Sequence, residues 1–427
     1  MATFVDLIVH SADQLLTLAG DGPRHGPAMG DLGLIADGAV AIDDGCIVSV
    51  GRTCEVRGAY RAHREIDAAG RVVLPGFIDA HTHPIFGGSR QAEFEQRIAG
   101  ATYLEIMAAG GGIMSTVRAT RAASLAQLIE SGRTRLSRML AHGTTTAEAK
   151  SGYGLTTHDE LKCLEAIDAL NGSQPVDLVP TFLGAHAVPE EYSGRPDAYV
   201  DLVIDEMLPA VKRWASSGQA LGARPRHLYC DVFCDEGAFD LVQTRRILSA
   251  ARGLGIALKV HADEFANLGA ARLAAQLGAV SADHLLCTPL DELAAMAEAG
   301  VIAVLLPGTP FGLGSCQYAD ARAMIDCGLA VALGTDLNPG TCYCESMPFV
   351  MALACRFMKL SPAEAIVAST VNAAYAVGRG GSIGRLQAGF AADLLVVDPD
   401  DYRHLAYRFG SNLIRVVVKR GKVVAGM

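Results

Sequence analysis

The sequence predicts an α/β fold: a TIM-type (β/α)8 barrel with a small β-sandwich domain built from both termini. Strand and helix patterns alternate eight times in the middle of the chain, and short strands with turn signals occupy both ends. The 427 residues also exceed the roughly 250 that such a barrel needs. Because both ends contain short strands of one small domain, the middle of the chain must return to where it began. The predicted domains are residues 1–71 plus 386–427 and residues 72–385.

Both ends of the chain contain short strand patterns. At the amino end these are residues 5–9, 39–42 and 46–50, and the Asp-Gly step in the turn at 43–45 is typical of a β-hairpin. At the carboxyl end, residues 392–397 and 414–424 are rich in valine and leucine. We therefore expect the two ends to form one small β domain.

The middle of the chain alternates strand candidates with helical patterns such as residues 124–140 and 198–215. The first candidate strand is the apolar run at 71–80. The eight candidates end at His81/His83, Lys150, His186, Asp235/Glu236, His261, His284, Pro307 and Asp336. In a barrel of this type the active site lies at the carboxyl ends of the strands, so these residues are the candidates for function.

Composition indicates a globular protein, because half of the residues are hydrophobic and 19% are charged. The net charge of −10 argues against a nucleic-acid or anionic-membrane surface and favours a small-molecule substrate. No apolar run reaches the ~20 residues of a membrane span. Eleven scattered cysteines do not suggest a disulfide framework, and the start lacks a signal-peptide pattern, which predicts a cytoplasmic location. The pairs Cys230/Cys234 and Cys342/Cys344 are interpreted as thiols rather than metal ligands.

The pair His81-Thr82-His83 is the most informative motif. Side chains at i and i+2 of a strand point the same way, so both imidazoles are expected to enter one cavity. Alone, the pair could be two polar loop residues. Together with His261 and Asp336 at the ends of strands five and eight, it predicts a site for one divalent metal ion with space for water.

Such a metal lowers the pKa of bound water from about 15.7 to about 7, so hydrolysis by a metal-bound hydroxide is the expected chemistry. Glu264 follows ligand His261 and could move protons, and His284 could bind the attacking water. The alternatives are a helix-start carboxylate for Glu264 and a buried structural imidazole for His284. Arg90 could hold a substrate carboxylate with two hydrogen bonds, or it could lie on the surface.

Strand four offers only Asp235 and Glu236 where two-metal barrels of this sort carry a bridging carboxylated lysine. We therefore predict a single metal ion. Lys150 and His186 could seat a second ion, but a charged lysine is a poor neighbour for a cation.

Residues 75–83, with His261, His284 and Asp336, resemble the amidohydrolase superfamily. A narrower resemblance, to the imidazolonepropionase family of histidine degradation, covers essentially the whole chain. It is carried by six motifs in order, at residues 88–95, 108–113, 150–154, 185–189, 261–264 and 335–341. The resemblance implies ring opening of 4-imidazolone-5-propanoate to N-formimidoyl-L-glutamate.

The resemblance also implies roles for particular residues. One zinc or iron ion is held by His81, His83, His261 and Asp336. Substrate contacts are implied for Arg90, Tyr153, His186, Glu264, Asn338, Gly340 and Thr341. Asp336 and His284 would take the proton of the attacking hydroxide, and Glu264 would protonate the departing ring nitrogen. The resemblance also implies a homodimer, the oligomeric state expected for members of this family.

Two alternatives stay open on the residues. One is a single-metal deaminase of an amino-substituted heterocycle, since His-x-x-Glu on strand five with His on strand six suits that chemistry equally well. Ammonia release separates it from ring opening. The other is an inactive relative that serves as a binding or scaffold protein, for which an intact fold without metal would argue.

Overall fold

A computed structural model describes residues 3–101, 105, 110–217 and 227–426. Residues 108 and 109 of the motif at 108–113 lie outside the described residues. The strands are β1 Thr3–Leu16, β2 Leu34–Asp43, β3 Cys46–Arg52, β4 Tyr60–Asp67, β5 Val72–Pro75, β6 Phe77–Asp79, β7 Thr144–Lys150, β8 Asp177–Ala185, β9 Tyr229–Cys234, β10 Ala257–Ala262, β11 Ser281–His284, β12 Ile302–Leu305, β13 Val331–Leu333, β14 Leu394–Val397, β15 Ile414–Lys419 and β16 Lys422–Ala425.

Most of the helices lie between successive barrel strands in the chain. The α-helices are Thr53–Ala59, Gln91–Ile98, Ile113–Ala122, Leu125–Ala141, Thr157–Asn171, Pro196–Leu202, Leu208–Ser217, Leu241–Gly253, Ala270–Leu277, Leu290–Ala299, Gly308–Leu313, Ala321–Asp326, Met347–Phe357, Pro362–Ala368, Val371–Ala376 and His404–Tyr407. A π-helical turn, Val203–Met207, joins two of them, and Gly26–Gly30 and Glu190–Tyr192 are 3-10 helices. No helix within the described residues is both long and apolar enough to cross a membrane.

The first sheet combines strands from both ends of the chain, as predicted. Its order is β16-β15-β14-β5-β1-β2-β3, and β4 also pairs with β1. The hairpin predicted at residues 39–50 is present, with Asp43 paired to Cys46 in antiparallel register. Apolar side chains from both termini form one buried cluster in this sheet, including Leu7, Val40, Leu394 and Val416.

The second sheet is the barrel. Its eight strands, β6 to β13, lie side by side in chain order and pair in parallel. The first and last strands are joined just beyond their ends, where the amide of Asp336 donates to the carbonyl of His81 at 2.9 Å. The amide of His83 donates to the carbonyl of Leu337 at 2.9 Å. All eight carboxyl ends therefore meet at one rim.

The apolar run at 71–80, predicted as one strand, is divided between the two sheets. β5 pairs with β1 and β14 of the first sheet, whereas β6 pairs with β7 of the barrel. The division falls at Gly76, where a Cβ would lie 2.3 Å from Oγ1 of Thr145, so only glycine fits. The predicted domain limits stay a prediction, and we propose Gly76 as the point where the chain enters the barrel.

Candidate metal centre and active site

The four predicted metal ligands lie together at the rim of the barrel and are buried. The Nε2 atoms of His81 and His83 are 3.3 Å apart, and each lies 3.5 Å from Oδ1 of Asp336. The ring of His261 lies 4.5 Å from that of His81 between centroids. Among the described residues, three sets that share His81 have ligand atoms close enough to hold one cation: His81, His83 and Asp336; His81, His261 and His284; and His81, Glu148 and Asp283.

Carboxylates behind the histidines orient their rings. Nδ1 of His81 lies 2.6 Å from Oδ2 of Asp283. Because a carboxylate only accepts, Nδ1 carries the proton and Nε2 keeps its lone pair for the site. Nδ1 of His261 lies 2.9 Å from Oδ2 of Asp231. Burial lowers the pKa of His81 and His83 well below the usual range of histidine, which keeps these rings neutral. The donor set therefore fits a divalent metal ion.

Asp336 is held in a left-handed backbone conformation that is uncommon outside glycine, with a φ of 51°. Its two oxygens have different surroundings. Oδ1 faces His81 and His83, whereas Oδ2 accepts a hydrogen bond from the hydroxyl of Thr309. Burial raises the pKa of Asp336 to about 6, although the Thr309 hydrogen bond opposes that effect. Thr309 lies on helix Gly308–Leu313, and no sequence motif points to it.

Glu264 and His284 lie beside the cluster, with Oε2 of Glu264 3.7 Å from Nδ1 of His284. Burial, followed by the charges of Asp336 and Asp235, raises the pKa of Glu264 well above its usual value. Burial lowers the pKa of His284 well below its usual value. The two groups therefore favour the neutral acid and the neutral imidazole, which is a useful pair for proton transfer.

The carboxylate of Asp235 stabilises the loop that contains Glu264. It accepts hydrogen bonds from the backbone amides of Glu264, Phe265 and Ala266 at 2.7, 2.9 and 3.0 Å. Glu236, the other acidic residue at this strand end, is exposed. Asp235 alone of this acidic pair thus organises a loop of the site.

Tyr153 and His186 form one wall of the cavity. The ring of His186 stacks on His83, with centroids 5.1 Å apart and planes at 20°, and its Nδ1 donates to the carbonyl of Gly152 at 3.0 Å. Burial lowers the pKa of His186 to about 3. Tyr153 is buried between His186 and Phe86, with ring centroids 5.2 and 6.2 Å away, and burial raises its pKa.

Glu160 holds the loop that carries Tyr153, and no sequence motif pointed to this role. Its buried carboxylate accepts hydrogen bonds from the backbone amides of Gly152, Gly154 and Leu155 at 3.0, 2.7 and 2.9 Å. These amides flank Tyr153, so the carboxylate fixes the loop that carries the tyrosine. A single glutamate in the first turns of a helix gives no such signal in a sequence.

The turn from Asn338 to Thr341 lies next to the cluster and is held by hydrogen bonds to the side-chain amide of Asn338. Oδ1 of Asn338 accepts hydrogen bonds from the amides of Gly340 and Thr341, both at 2.8 Å. Arg90 lies against this turn and is paired with Glu93 at 2.8 Å. A Cβ at position 340 would lie 2.3 Å from Nη1 of Arg90, so glycine permits this close approach. The predicted substrate residues therefore surround the cluster. They follow the first, second, third, fifth and eighth strands of the barrel, which are β6, β7, β8, β10 and β13.

Lys150, whose position at a strand end suggested a possible site for a second cation, is itself a buried cation near the cluster. Its Nζ lies 2.7 Å from Asp231 and 2.9 Å from Glu148. Burial opposes its charge, but Asp231, Glu148 and Asp283 outweigh burial and raise its pKa. An ammonium group is therefore held among the carboxylates that contact His81 and His261, where its charge disfavours a second cation nearby.

Comparison with known proteins places this site in a family. The model of the amidohydrolase family matches residues 72–424. The chain is 53% identical to the imidazolonepropionase of Chloroflexus aggregans over 420 residues, which is 98% of each protein. It is 50% identical to the imidazolonepropionase of Herpetosiphon aurantiacus over 419 residues, 97% of each.

Solved structures share the fold. A zinc-bound adenosine deaminase from Xanthomonas campestris matches with a TM-score of 0.71 at 20% identity, over 99% of this chain and 93% of that one. The guanine deaminase of E. coli matches with a TM-score of 0.72 at 17% identity, over 98% and 99%. The similarity to the two bacterial relatives extends over nearly the full length of each protein. The chain therefore belongs to the amidohydrolase family and, within it, to the imidazolonepropionases.

Proposed function

We propose that this protein opens the ring of 4-imidazolone-5-propanoate by hydrolysis to give N-formimidoyl-L-glutamate. The observation that carries the proposal is the convergence of His81, His83, His261 and Asp336 at the barrel rim. This convergence occurs in a chain that is about half identical to named imidazolonepropionases over almost its whole length. A cytoplasmic location and a homodimer stay predictions.

The four converging residues are the proposed ligands of one divalent metal ion, zinc or iron. Neutral imidazoles and a carboxylate suit both metals. When bound, the ion supplies Lewis acidity, which makes water available as a nucleophile at neutral pH. The buried ammonium of Lys150, which lies against Asp231 and Asp283, favours one ion over two.

The proposed reaction adds water to the ring carbonyl carbon and breaks the ring C–N bond. Asp336 and His284 take a proton from the attacking water. Glu264 donates a proton to the departing ring nitrogen, and its raised pKa favours the neutral carboxyl that a donor needs. Tyr153, His186 and the turn at Asn338–Thr341 are the further residues proposed to contact the substrate.

Arg90 is proposed to bind the propanoate group, with Tyr153 beside it. We expect Arg90→Ala to lower kcat/KM by about 30-fold or more, since a lost charge-assisted pair costs on the order of 2 kcal/mol. Steady-state kinetics on the carboxylated substrate measure this effect. Arg118→Ala is the control, because Arg118 lies on the surface and pairs with Glu190. An Arg90→Ala enzyme with nearly unchanged kcat/KM would show that another group binds the carboxylate.

The activity is tested by following the absorbance of imidazolone generated from urocanate, with ammonia and metal content measured in parallel. We expect about one metal ion per chain, loss of imidazolone and no ammonia. The alternative is deamination of an amino-substituted heterocycle, which two structural neighbours named as deaminases favour. One metal ion with no imidazolone turnover, and ammonia from such a heterocycle, would support that alternative.

A further inference from the structure

Five charged side chains lie buried directly below the proposed metal centre. Lys150 and Lys259 are surrounded by Glu148, Asp231 and Asp283, and all five side chains are fully buried. Nζ of Lys150 lies 2.7 Å from Oδ2 of Asp231, 2.9 Å from Oε1 of Glu148 and 3.6 Å from Oδ2 of Asp283. Lys150 thus stands between two aspartates that come from different barrel strands, β9 and β11.

The oxygens that face Lys150 also face the histidines. Oδ2 of Asp283 lies 2.6 Å from Nδ1 of His81, and Oδ2 of Asp231 lies 2.9 Å from Nδ1 of His261. One ammonium group therefore links the two carboxylates that orient two of the four proposed ligands. Carboxylates in this position fix the ring orientation and the basicity of a metal-binding histidine.

We propose that Lys150 is a positioning residue of the metal centre, which holds Asp231 and Asp283 in place behind His261 and His81. The inference rests on the proposed metal site and goes beyond it by assigning a role to a residue that touches neither metal nor substrate. Two buried carboxylates repel each other, and removal of the cation between them leaves Asp231 without an ammonium partner and Asp283 with the charge of Lys259 alone. The aspartates then move apart, and the histidines lose their common orientation.

The test is the rate at which the zinc-loaded enzyme releases zinc to a colorimetric chelator. We expect Lys150→Met to release zinc about 10- to 100-fold faster than the unchanged protein, as removal of such supporting groups does elsewhere. We also expect a lower kcat with little change in KM. A purely structural role would lower thermal stability without changing the release rate of the folded protein.

Lys419→Met is the matched control. Lys419 is also a buried lysine between two aspartates, at 2.6 Å from Asp393 and 3.1 Å from Asp177, but it belongs to the first sheet. We expect this variant to lose thermal stability and to keep the original zinc release rate. Equal release rates in Lys150→Met and the unchanged protein, or equal acceleration in Lys419→Met, would overturn the proposal.

A second pair of variants covers the case in which Lys150→Met does not fold. The double change Lys150→Met with Asp283→Asn removes one positive and one negative charge together, and it is compared with Asp283→Asn alone. We expect faster zinc release from the double variant, because Asp231 has lost its cation. No difference between the two would overturn the proposal. Zinc binding and turnover by the unchanged protein are measured first, so failure of the proposed function is recognised separately.

Discussion

Glu264→Gln is expected to lower kcat by about 10²- to 10⁴-fold, the usual contribution of a positioned proton donor. Glutamine has the same size but can neither take up nor release a proton at neutral pH. Glu264 is outside the sets of residues that can share a cation, so zinc content should stay at about one per chain. Steady-state kinetics with imidazolone and metal analysis of the same sample measure the two effects.

The control is Glu236→Gln, which changes an exposed carboxylate near the same rim and should leave kcat unaltered. If Glu264→Gln kept more than a tenth of the original kcat, Glu264 would not be the proton donor. If it lost the metal as well, its role would be structural, and His284 would become the leading candidate for proton transfer.

Removal of the metal by chelation is expected to reduce turnover to background. Without the ion, water at neutral pH is too weak an acid to supply the nucleophile. One equivalent of zinc or of iron(II) per chain should restore turnover, and titration of the stripped enzyme with each metal measures the stoichiometry. Comparison of the two restored rates also shows which metal the site uses better.

Magnesium serves as the control for reconstitution, because it prefers oxygen ligands in octahedral geometry and the site offers mainly imidazole nitrogen. We expect it to restore no turnover. Turnover by the stripped enzyme would contradict a metal-dependent reaction. A requirement for two equivalents would contradict the role of Lys150 as the cation next to the histidines.

The strand ends could be predicted from the sequence because a barrel places them at one rim whatever the details of packing. His81, His261, His284 and Asp336 each come at the end of a candidate strand, so counting strands was enough to bring them together. Helix Leu125–Ala141 could also be predicted from the sequence, since Ser124 caps it and its buried residues recur at helical spacing.

The supporting residues were not predictable in the same way. Lys150 and Asp231 are 81 residues apart, and His81 and Asp283 are 202 apart. A polar residue inside an apolar strand carries no mark of its partner, because the hydrogen bond that satisfies it forms only when distant strands meet. Asp235 illustrates the point: its place at the end of a strand gives no sign that its oxygens accept hydrogen bonds from the amides of the Glu264 loop.

The alternation of barrel strands and helices, the small domain that joins both termini and the set of residues at the rim could be predicted without the structure. These follow from local periodicity and from chain order. The sequence could not show which nitrogen of His81 faces the site, that one oxygen of Asp336 faces the histidines while the other binds Thr309, or which cation lies near them. These features depend on contacts between strands that are distant in the chain, and the positive φ of Asp336 is fixed by its surroundings rather than by its residue type.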